Sequence, residues 1–315
     1  MKNIKIIEVP SEIGAGTRGA SLGVDAIKIA ALDFMSNFFV HFPTEKIEVE
    51  NHLLFEPIQS PYAKRIHGIL NIYERVSSAV CDTIKSNFFP VVLSGEHSIA
   101  GGTIAGIKMA KPKSKLGVIW IDAHADLHTP YTTPTGNMHG MPLAAAIADD
   151  NIECKVHDVD EKTAKLWNQL KAVGKITPKV LPEHIVLISL RDYEAEEKAL
   201  IEKYGIKIIS TGEIRRNGAE SASKKVLRYL AECTDIYVSF DVDSLDAGIS
   251  KGTGTPVSNG LREREAEDLI SKFMQNRKIC CFEITEVNPT LDKENLMAEI
   301  AFNILQRSVN VLLLN

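Results

Sequence analysis

The sequence has little of what marks a secreted, membrane-embedded or nucleic-acid-binding protein. Its 315 residues include five cysteines, an odd number with no Cys-x-x-Cys pair, which favours reduced thiols in a cytoplasmic protein over disulfides or a zinc site. We find no apolar stretch that approaches the roughly 20 residues of a membrane helix. The opening residues MKNIKIIEVPSEIG predict a strand and not a signal peptide. The net charge of −5 gives no reason to expect nucleic acid or an anionic membrane as partner.

The chain also lacks internal repeats and any linker that would divide it, so we predict one domain over residues 1–315. Apolar runs of strand length alternate with segments of helical spacing, the last of them at residues 295–305. This alternation predicts an α/β fold in three layers, with a mostly parallel sheet of about seven or eight strands. In such sheets ligands bind beyond the carboxyl ends of the strands. Residues 149–179 are polar, with one amphipathic helix, and carry no recognisable chemistry.

One stretch, LGVIWIDAHADLHTPYTTPTGNMH, holds the strongest chemical pattern. Its apolar run Leu116–Ile121 predicts a fully buried strand, which Asp122, His124 and Asp126 follow directly. Side chains two apart in an extended chain share a face, so all three can point at one spot. Two carboxylates and an imidazole are costly in an apolar interior unless a divalent metal compensates them. Alone, so short a pattern fits a capped strand end with a solvated acidic turn equally well.

Two further strand ends supply matching residues. Asp241 and Asp243 follow an apolar run in SFDVD, and His97 follows a short buried strand in SGEHS. One zinc ion takes about four ligands, usually dominated by nitrogen or sulfur. Six ligands with four carboxylates suit two hard divalent ions instead, and the oxygen-rich set favours Mn²⁺. Two ions sharing one water make hydroxide available near neutral pH, which predicts hydrolysis at an electron-poor carbon or phosphorus.

These motifs together resemble the ureohydrolase family, the arginases and agmatinases. The similarity runs from the Gly-Arg loop at residues 14–23 to EVNP at residues 286–289, and DAHAD and SFDVDSLDAG are specific in this order and spacing. The resemblance implies an arginase-like fold with an eight-stranded sheet, two Mn²⁺ per subunit, a small guanidino substrate and a homo-oligomer, either a trimer or a hexamer. The metal ligands it implies are Asp122 and Asp241 bridging both ions, His97 and Asp126 on one, and His124 and Asp243 on the other.

The loop TGNMHGMP after DAHAD resembles that of arginases, in which it holds the α-carboxylate of arginine. By this resemblance Thr135 and Asn137 contact the carboxylate. His139 is the proton shuttle, a role that suits histidine because its pKa lies near neutral pH. Glu286 follows a buried strand at the same edge, where its carboxylate can hold and position a guanidinium by a two-pronged hydrogen bond. A helix-capping or supporting acid is the alternative interpretation. Thr255 in GTGTP resembles a residue near the same guanidinium.

Three positions depart from the family pattern. Glu96 replaces the aspartate of Gly-Gly-Asp-His and is longer by one methylene, so its contacts around His97 must be rebuilt. His128 stands where arginases usually carry an asparagine that binds the substrate carboxylate, and Glu194 where they carry an aspartate that binds the α-amino group. Histidine can still donate to a carboxylate and glutamate can accept from an ammonium. A shifted or longer amino-acid substrate stays open.

The leading hypothesis is hydrolysis of L-arginine to L-ornithine and urea. In it a metal-bridging hydroxide attacks the guanidinium carbon, Asp126 accepts the hydroxide proton, and His139 handles the proton of the leaving amine. A related amidinohydrolase, acting on agmatine, guanidinobutyrate or formiminoglutamate, is the first alternative. A non-catalytic metal-stabilised scaffold is the second, and it would have no need of His139 and Glu286.

Overall fold

The computed structural model describes residues 2–314, and its centre is a single eight-stranded sheet. Every pairing in the sheet is parallel, in the order β2-β1-β3-β8-β7-β4-β5-β6. The predicted α/β fold is therefore confirmed, and the sheet is parallel throughout where we expected it to be mostly parallel. The strands are β1 (Asn3–Val9), β2 (Thr44–Lys46), β3 (Phe88–Ser94), β4 (Leu116–Ile121), β5 (Ile185–Ile188), β6 (Lys207–Ile209), β7 (Asp235–Asp241) and β8 (Ile279–Thr285).

Helices cover both faces of the sheet and make the outer two layers of a single domain. One buried apolar cluster joins the sheet to α1 and α8–α11, and a second joins it to α3–α7. Strands buried on both faces need apolar residues throughout, which is why β4 shows a continuous apolar run and no alternation. The helices are α1 (Gly23–Asp33), α2 (Phe38–His41), α3 (Ile66–Lys85), α4 (Ala100–Ala110), α5 (Pro142–Ile147), α6 (Glu161–Lys171), α7 (Ala195–Tyr204), α8 (Thr211–Asn217), α9 (Ala219–Tyr229), α10 (Glu263–Met274) and α11 (Leu296–Leu314).

The last helix differs from its prediction in length and in character. It continues to Leu314 instead of ending at residue 305, and it is long and apolar enough by composition to cross a membrane, with a mean hydropathy of 1.2. Our expectation that no segment meets this test is therefore wrong. More than half of α11 is buried inside the protein, where Phe302 packs against Phe38 and Phe34. Helix α11 is a core helix of this domain.

The sheet places the predicted site residues at one edge. Strands β3, β8, β7 and β4 are consecutive neighbours at the centre of the sheet, and the six predicted metal ligands and Glu286 lie at or after the carboxyl ends of these four strands, whereas Glu194 follows β5. Ile121 is paired with Phe240, so Asp122 and Asp241 leave their strands side by side. The parallel register thus converts motifs more than 100 residues apart in sequence into one cluster.

Candidate active site

Four of the six predicted ligands converge around one imidazole. His97 Nδ1 lies 2.9 Å from Asp122 Oδ2, 3.1 Å from Asp126 Oδ2 and 3.2 Å from Asp241 Oδ2. The His97 ring and all three carboxylates are buried. Trp120 stacks on the His97 ring with centroids 3.9 Å apart and planes within 5°, which fixes the plane in which Nδ1 points. These four residues form the first half of the cluster.

The remaining two ligands form the second half, which shares Asp122 with the first. His124 Nδ1 lies 2.9 Å from Asp243 Oδ2 and 3.4 Å from Asp122 Oδ1. Asp122 thus turns one oxygen toward each histidine, the arrangement of a carboxylate that bridges two cations. All six residues therefore lie in one cluster, in two groups that share Asp122, with Asp241 beside His97.

The geometry around His97 fits a metal ion better than it fits a hydrogen bond. His97 Nε2 is 2.7 Å from Ser239 Oγ, and an imidazole that donates there has a lone pair on Nδ1. That nitrogen faces three carboxylate oxygens, yet within residues 2–314 neither it nor Asp122 Oδ2 has a hydrogen-bond partner. A lone pair aimed at anionic oxygens is repulsive unless a cation lies between them. The donor set, two imidazoles and four carboxylates, therefore suits divalent metal ions.

The carboxylates of the cluster oppose one another's ionisation. Burial, followed by the charge of Asp122, raises the pKa of Asp126 to about 6. Burial and the neighbouring Asp243 and Asp122 carboxylates raise the pKa of Asp241 well above its usual range. Groups so crowded stay ionised together at neutral pH only when cations offset them, and two dications carry the charge that four aspartates require.

Two of the candidate residues adopt a backbone conformation that is uncommon outside glycine. Asp126 has φ 52° and Glu286 has φ 67°, both in the left-handed region. Such residues cost on the order of 1–3 kcal/mol each and persist where the surrounding structure fixes them. Glu286 directly follows β8, and Asp126 lies in the loop that follows β4. The backbone strain at Asp126 and Glu286 thus coincides with the predicted metal and guanidinium sites.

His139 and Glu286 form an ion pair beside the cluster. His139 Nδ1 is 3.0 Å from Glu286 Oε1, which also accepts a hydrogen bond from the backbone N–H of His97 at 3.0 Å. Burial disfavours protonation of His139, but the Glu286 carboxylate outweighs burial and raises the pKa of His139 to about 9. Glu286 Oε1 is thus already engaged, and Oε2 is the oxygen left to accept from a substrate.

A cleft opens above the cluster and exposes it to small molecules. His128 and Glu194 line one side of this cleft, where His128 Nε2 is 2.9 Å from Glu194 Oε2. Because His128 Nδ1 is 3.2 Å from Thr132 Oγ1, both ring nitrogens already have partners. A substrate carboxylate can bind His128 only by displacing one of them.

The other predicted substrate contacts lie on the opposite loops. Thr135 and Asn137 line the cleft at its outer part, and Thr255 lines it near the cluster. Thr255 Oγ1 donates to Asp243 Oδ2 at 3.0 Å, so it contacts a predicted metal ligand in this structure. Glu96, the third departure from the family pattern, accepts from Ser98 N at 3.0 Å and from Ser98 Oγ at 2.7 Å. Its longer side chain therefore closes the turn that carries His97.

Several supporting residues escaped the sequence reasoning. Ser239 lies two residues before Asp241 on the same face of β7, so strand alternation alone placed it toward the site. Glu283 is fully buried beneath the cluster and accepts hydrogen bonds from Ser94 Oγ at 2.8 Å, Thr103 Oγ1 at 2.7 Å and Tyr237 OH at 2.9 Å. A glutamate within the apolar strand ICCFEIT was the available signal for it, since a buried acid needs polar partners.

Comparison with known proteins agrees with this geometry. The Arginase family matches residues 2–309. The arginase of Brevibacillus brevis is 35% identical over 312 residues, covering 95% of both chains, and that of Bacillus caldovelox is 35% identical over 315 residues, covering 96% of both. Among solved structures, arginase from Bacillus caldovelox superposes with a TM-score of 0.82 at 34% identity over 97% of each chain. A Bacillus subtilis arginase gives 0.83 at 32% identity over 98% of each.

The matched region spans all three motifs that meet at the sheet edge, and it extends over nearly the whole length of the relatives as well as of this chain. Members of this family share a binuclear metal site, which is what the two overlapping histidine–aspartate groups can form. The chain belongs to the arginase family and is a hydrolase that acts on a C–N bond of a guanidino or amidino group.

Proposed function

We propose that the protein hydrolyses L-arginine to L-ornithine and urea with two Mn²⁺ ions held by His97, Asp122, His124, Asp126, Asp241 and Asp243. The observation that carries this proposal is the shared Asp122, whose two oxygens face two separate histidine–carboxylate groups. Oxygen-rich ligation with some imidazole favours Mn²⁺ over Zn²⁺. When bound, such a pair of cations lowers the pKa of water toward neutrality and so supplies hydroxide to the site.

Glu286 is the residue we assign to holding the guanidinium. Its Oε1 is fixed by His139 and by the N–H of His97, which orients Oε2 for a charge-assisted hydrogen bond from a guanidinium N–H. A substrate held in this way has its central carbon in place before reaction, and such positioning accounts for a large part of catalysis. Thr255 and Asp243, joined by a hydrogen bond, lie on the same side of the cleft and limit where the guanidinium can rest.

Two residues are proposed to move protons. Asp126 accepts the proton of the attacking hydroxide once its oxygen has bonded to the guanidinium carbon, and releases that proton to solvent after the products form. His139, protonated because of its pairing with Glu286, donates a proton to the departing amine as the C–N bond breaks. The products are urea and the free amine of ornithine, and the proton lost by His139 is recovered from bulk water through its partly exposed ring.

The remaining contacts are assigned to the amino-acid end of the substrate. Thr135 and Asn137, at the outer part of the cleft, donate to its α-carboxylate. Glu194, whose carboxylate is half exposed, accepts from the α-ammonium of the substrate, and His128 orients Glu194.

The pairing of His128 with Glu194 is also the observation that favours a second candidate function, hydrolysis of a related guanidino or amidino compound. Residues that are already partnered select less strongly for an α-amino acid, and agmatine, guanidinobutyrate and formiminoglutamate are then the substrates to compare.

We further infer a cytoplasmic homo-oligomer, either a trimer or a hexamer, without nucleic acid or membrane as a partner. The five free cysteines support the location, since Cys81, Cys233, Cys280 and Cys281 are buried thiols and none forms a disulfide in the described chain. Light scattering coupled to gel filtration measures the assembly directly. A monomer at micromolar concentration would contradict this inference without affecting the proposed chemistry.

One assay tests the activity. Purified protein is loaded with Mn²⁺, and arginine, agmatine, guanidinobutyrate and formiminoglutamate are supplied in turn while urea, or formamide for the last, is measured. We expect arginine to give the highest kcat/KM, and Asp126→Ala to abolish turnover. Agmatine turnover well above that of arginine would reject the arginine assignment and leave the metallohydrolase in place. Bound metal with no turnover of any substrate would support a scaffold.

A further inference from the structure

The rim of the substrate cleft carries a cation that no acidic residue neutralises. Lys64 is half-buried next to the loop of Thr135 and Asn137, and its Nζ donates to Asn137 Oδ1 at 3.0 Å. Within residues 2–314 it forms no ion pair, and Asn137 is the only side chain that it contacts by a hydrogen bond. Burial lowers the pKa of Lys64, and the neighbouring Arg65 and Arg18 lower it further. None of the three cations forms an ion pair within residues 2–314, so together they make a region that favours an anion.

The inner end of the cleft has the opposite charge. His124, Asp126, Asp241 and Asp243 line it there, with the Glu286 carboxylate beside them. The cleft therefore has an acidic inner end, suited to metal ions and a guanidinium, and a basic rim that attracts negative charge. A ligand that matches both ends carries a guanidinium at one end and a carboxylate at the other.

Lys64 also fixes the orientation of the neighbouring amide. Because Asn137 Oδ1 accepts from Lys64, its Nδ2 is the group left to donate, and it lies against Gly16, where an added Cβ would stand 2.7 Å from it. A backbone hydrogen bond also joins these two segments, since Lys64 N donates to the carbonyl oxygen of Gly136 at 2.8 Å. Asn137, which lines the cleft, therefore has an amide donor and no free acceptor, and this donor lies beside a positive charge.

We propose that Lys64 is a specificity-determining residue that selects guanidino substrates bearing a carboxylate. It does so by orienting the Asn137 amide and by adding an unpaired positive charge next to it. The inference rests on the proposed function, because it assumes that Asn137 meets the carboxylate end of the substrate. It adds a residue from the loop that precedes α3, outside the three ligand motifs, to the recognition of that end.

The test compares three substrates that differ at one end only: arginine, agmatine, which lacks the carboxylate, and δ-guanidinovalerate, which lacks the α-amino group. Lys64→Met keeps the apolar stem and removes the charge. We expect it to raise KM for arginine and δ-guanidinovalerate about tenfold, the effect of losing a charge-assisted contact, with kcat within about twofold. For agmatine, KM, or the inhibition constant where turnover is absent, should change less than about twofold.

Two variants complete the experiment. Lys64→Arg restores the charge and should recover most of the loss, and Lys165→Met, at an exposed position of α6, should behave as wild type. Metal content and unfolding temperature are measured for each, so that a misfolded Lys64→Met is recognised and Lys64→Arg then carries the test. Equal changes for all three substrates would overturn the Lys64 assignment alone, whereas a wild-type protein inactive on all three would overturn the proposed function itself.

Discussion

His128 Nε2 lies 2.9 Å from Glu194 Oε2, so two residues that depart from the pattern of related arginases contact each other. Their hydrogen bond, more than any other interaction, lowers the pKa of Glu194 to about 2. On the other side, burial opposes protonation of His128, but the bond to Glu194 prevails and raises the pKa of His128. Each partner of the pair therefore favours the charged form of the other. Glu194 and His128 thus form an ion pair that joins the loop after β4 to the N-terminus of α7.

Glu194→Gln tests whether this couple also reads the substrate. If Glu194 accepts from the α-ammonium, the variant should raise KM for arginine and agmatine by about fivefold, a modest value because the carboxylate is half exposed. For δ-guanidinovalerate, which has no amino group, KM should stay within about twofold. Steady-state kinetics on the three compounds measures this. A uniform change across them would mean that Glu194 only supports His128.

The metal cluster leads to a prediction about stoichiometry. Asp122 faces both histidines, so Asp122→Asn removes one negative charge from both halves of the site. We expect wild-type protein dialysed against Mn²⁺ to retain two ions per chain, and the variant to retain at most about one. Excess Mn²⁺ should raise the unfolding temperature of wild type by mass action and that of Asp122→Asn much less.

His139→Asn is the matched control for that experiment. His139 lies in the same cleft, yet it pairs with Glu286 and with none of the proposed ligands. The His139→Asn variant should therefore keep two Mn²⁺ ions per chain, as measured by elemental analysis. Metal loss from His139→Asn would show that the ring belongs to the metal site, and full metal retention by Asp122→Asn would show that the shared aspartate does not bridge two ions.

The pH dependence of turnover follows from the same histidine. Its partner carboxylate stabilises the imidazolium and raises the pKa of His139 to about 9, so the protonated acid is present below that pH and is lost above it. The kcat/KM of wild type should therefore fall as the pH rises through about 9. His139→Asn should be slower by about 100-fold and should lack this descending limb. A wild-type limb that persists in the variant would assign the titration to another group.

The six proposed ligands could be singled out because they stand at or shortly after the ends of apolar runs, and a spacing of two within a motif fixes which side chains share a face. Their partners were harder to predict. Ser239 meets His97 only because β7 lies two strands from β3, and Lys64 reaches Asn137 across a loop contact; neither relationship is encoded in local spacing. Strand order arises from the packing of helices on both faces, which depends on the whole chain.

The end of α11 shows the same limit from another side. The polar residues Gln306 and Arg307 come directly after residue 305, where we predicted that the helix ends. In the structure Arg307 turns outward and pairs with Glu267 and Asp268 on α10, at 2.9 and 2.7 Å, while Val309 and Leu312 stay buried. The helix therefore continues past these polar residues, and the neighbouring helix α10 supplies the acidic partners of Arg307.

Lys179 offers a prediction about stability that is independent of the active site. Only 5% of this residue is exposed, and burial lowers the pKa of its ammonium to about 8. Its Nζ donates to the carbonyl oxygen of Lys171, which also accepts from Thr177 Oγ1 at 3.2 Å. No carboxylate in residues 2–314 pairs with Lys179, so folding at neutral pH requires burying an uncompensated charge.

Lys179→Met should therefore stabilise the fold at pH 7, by about 1–3 kcal/mol, since it removes the cost of that charge while Thr177 still satisfies the Lys171 carbonyl. The pH dependence of this gain follows from the difference in proton binding between the folded and the unfolded state. Between pH 8 and about 10.5 the unfolded lysine binds more protons than the folded one, so the stability of wild type rises with pH across this window and the advantage of methionine shrinks. Urea unfolding of both proteins at pH 7 and pH 10, with Lys165→Met as an exposed control, measures the difference. A gain of equal size at both values would mean that methionine improves packing and that the buried charge costs the fold nothing.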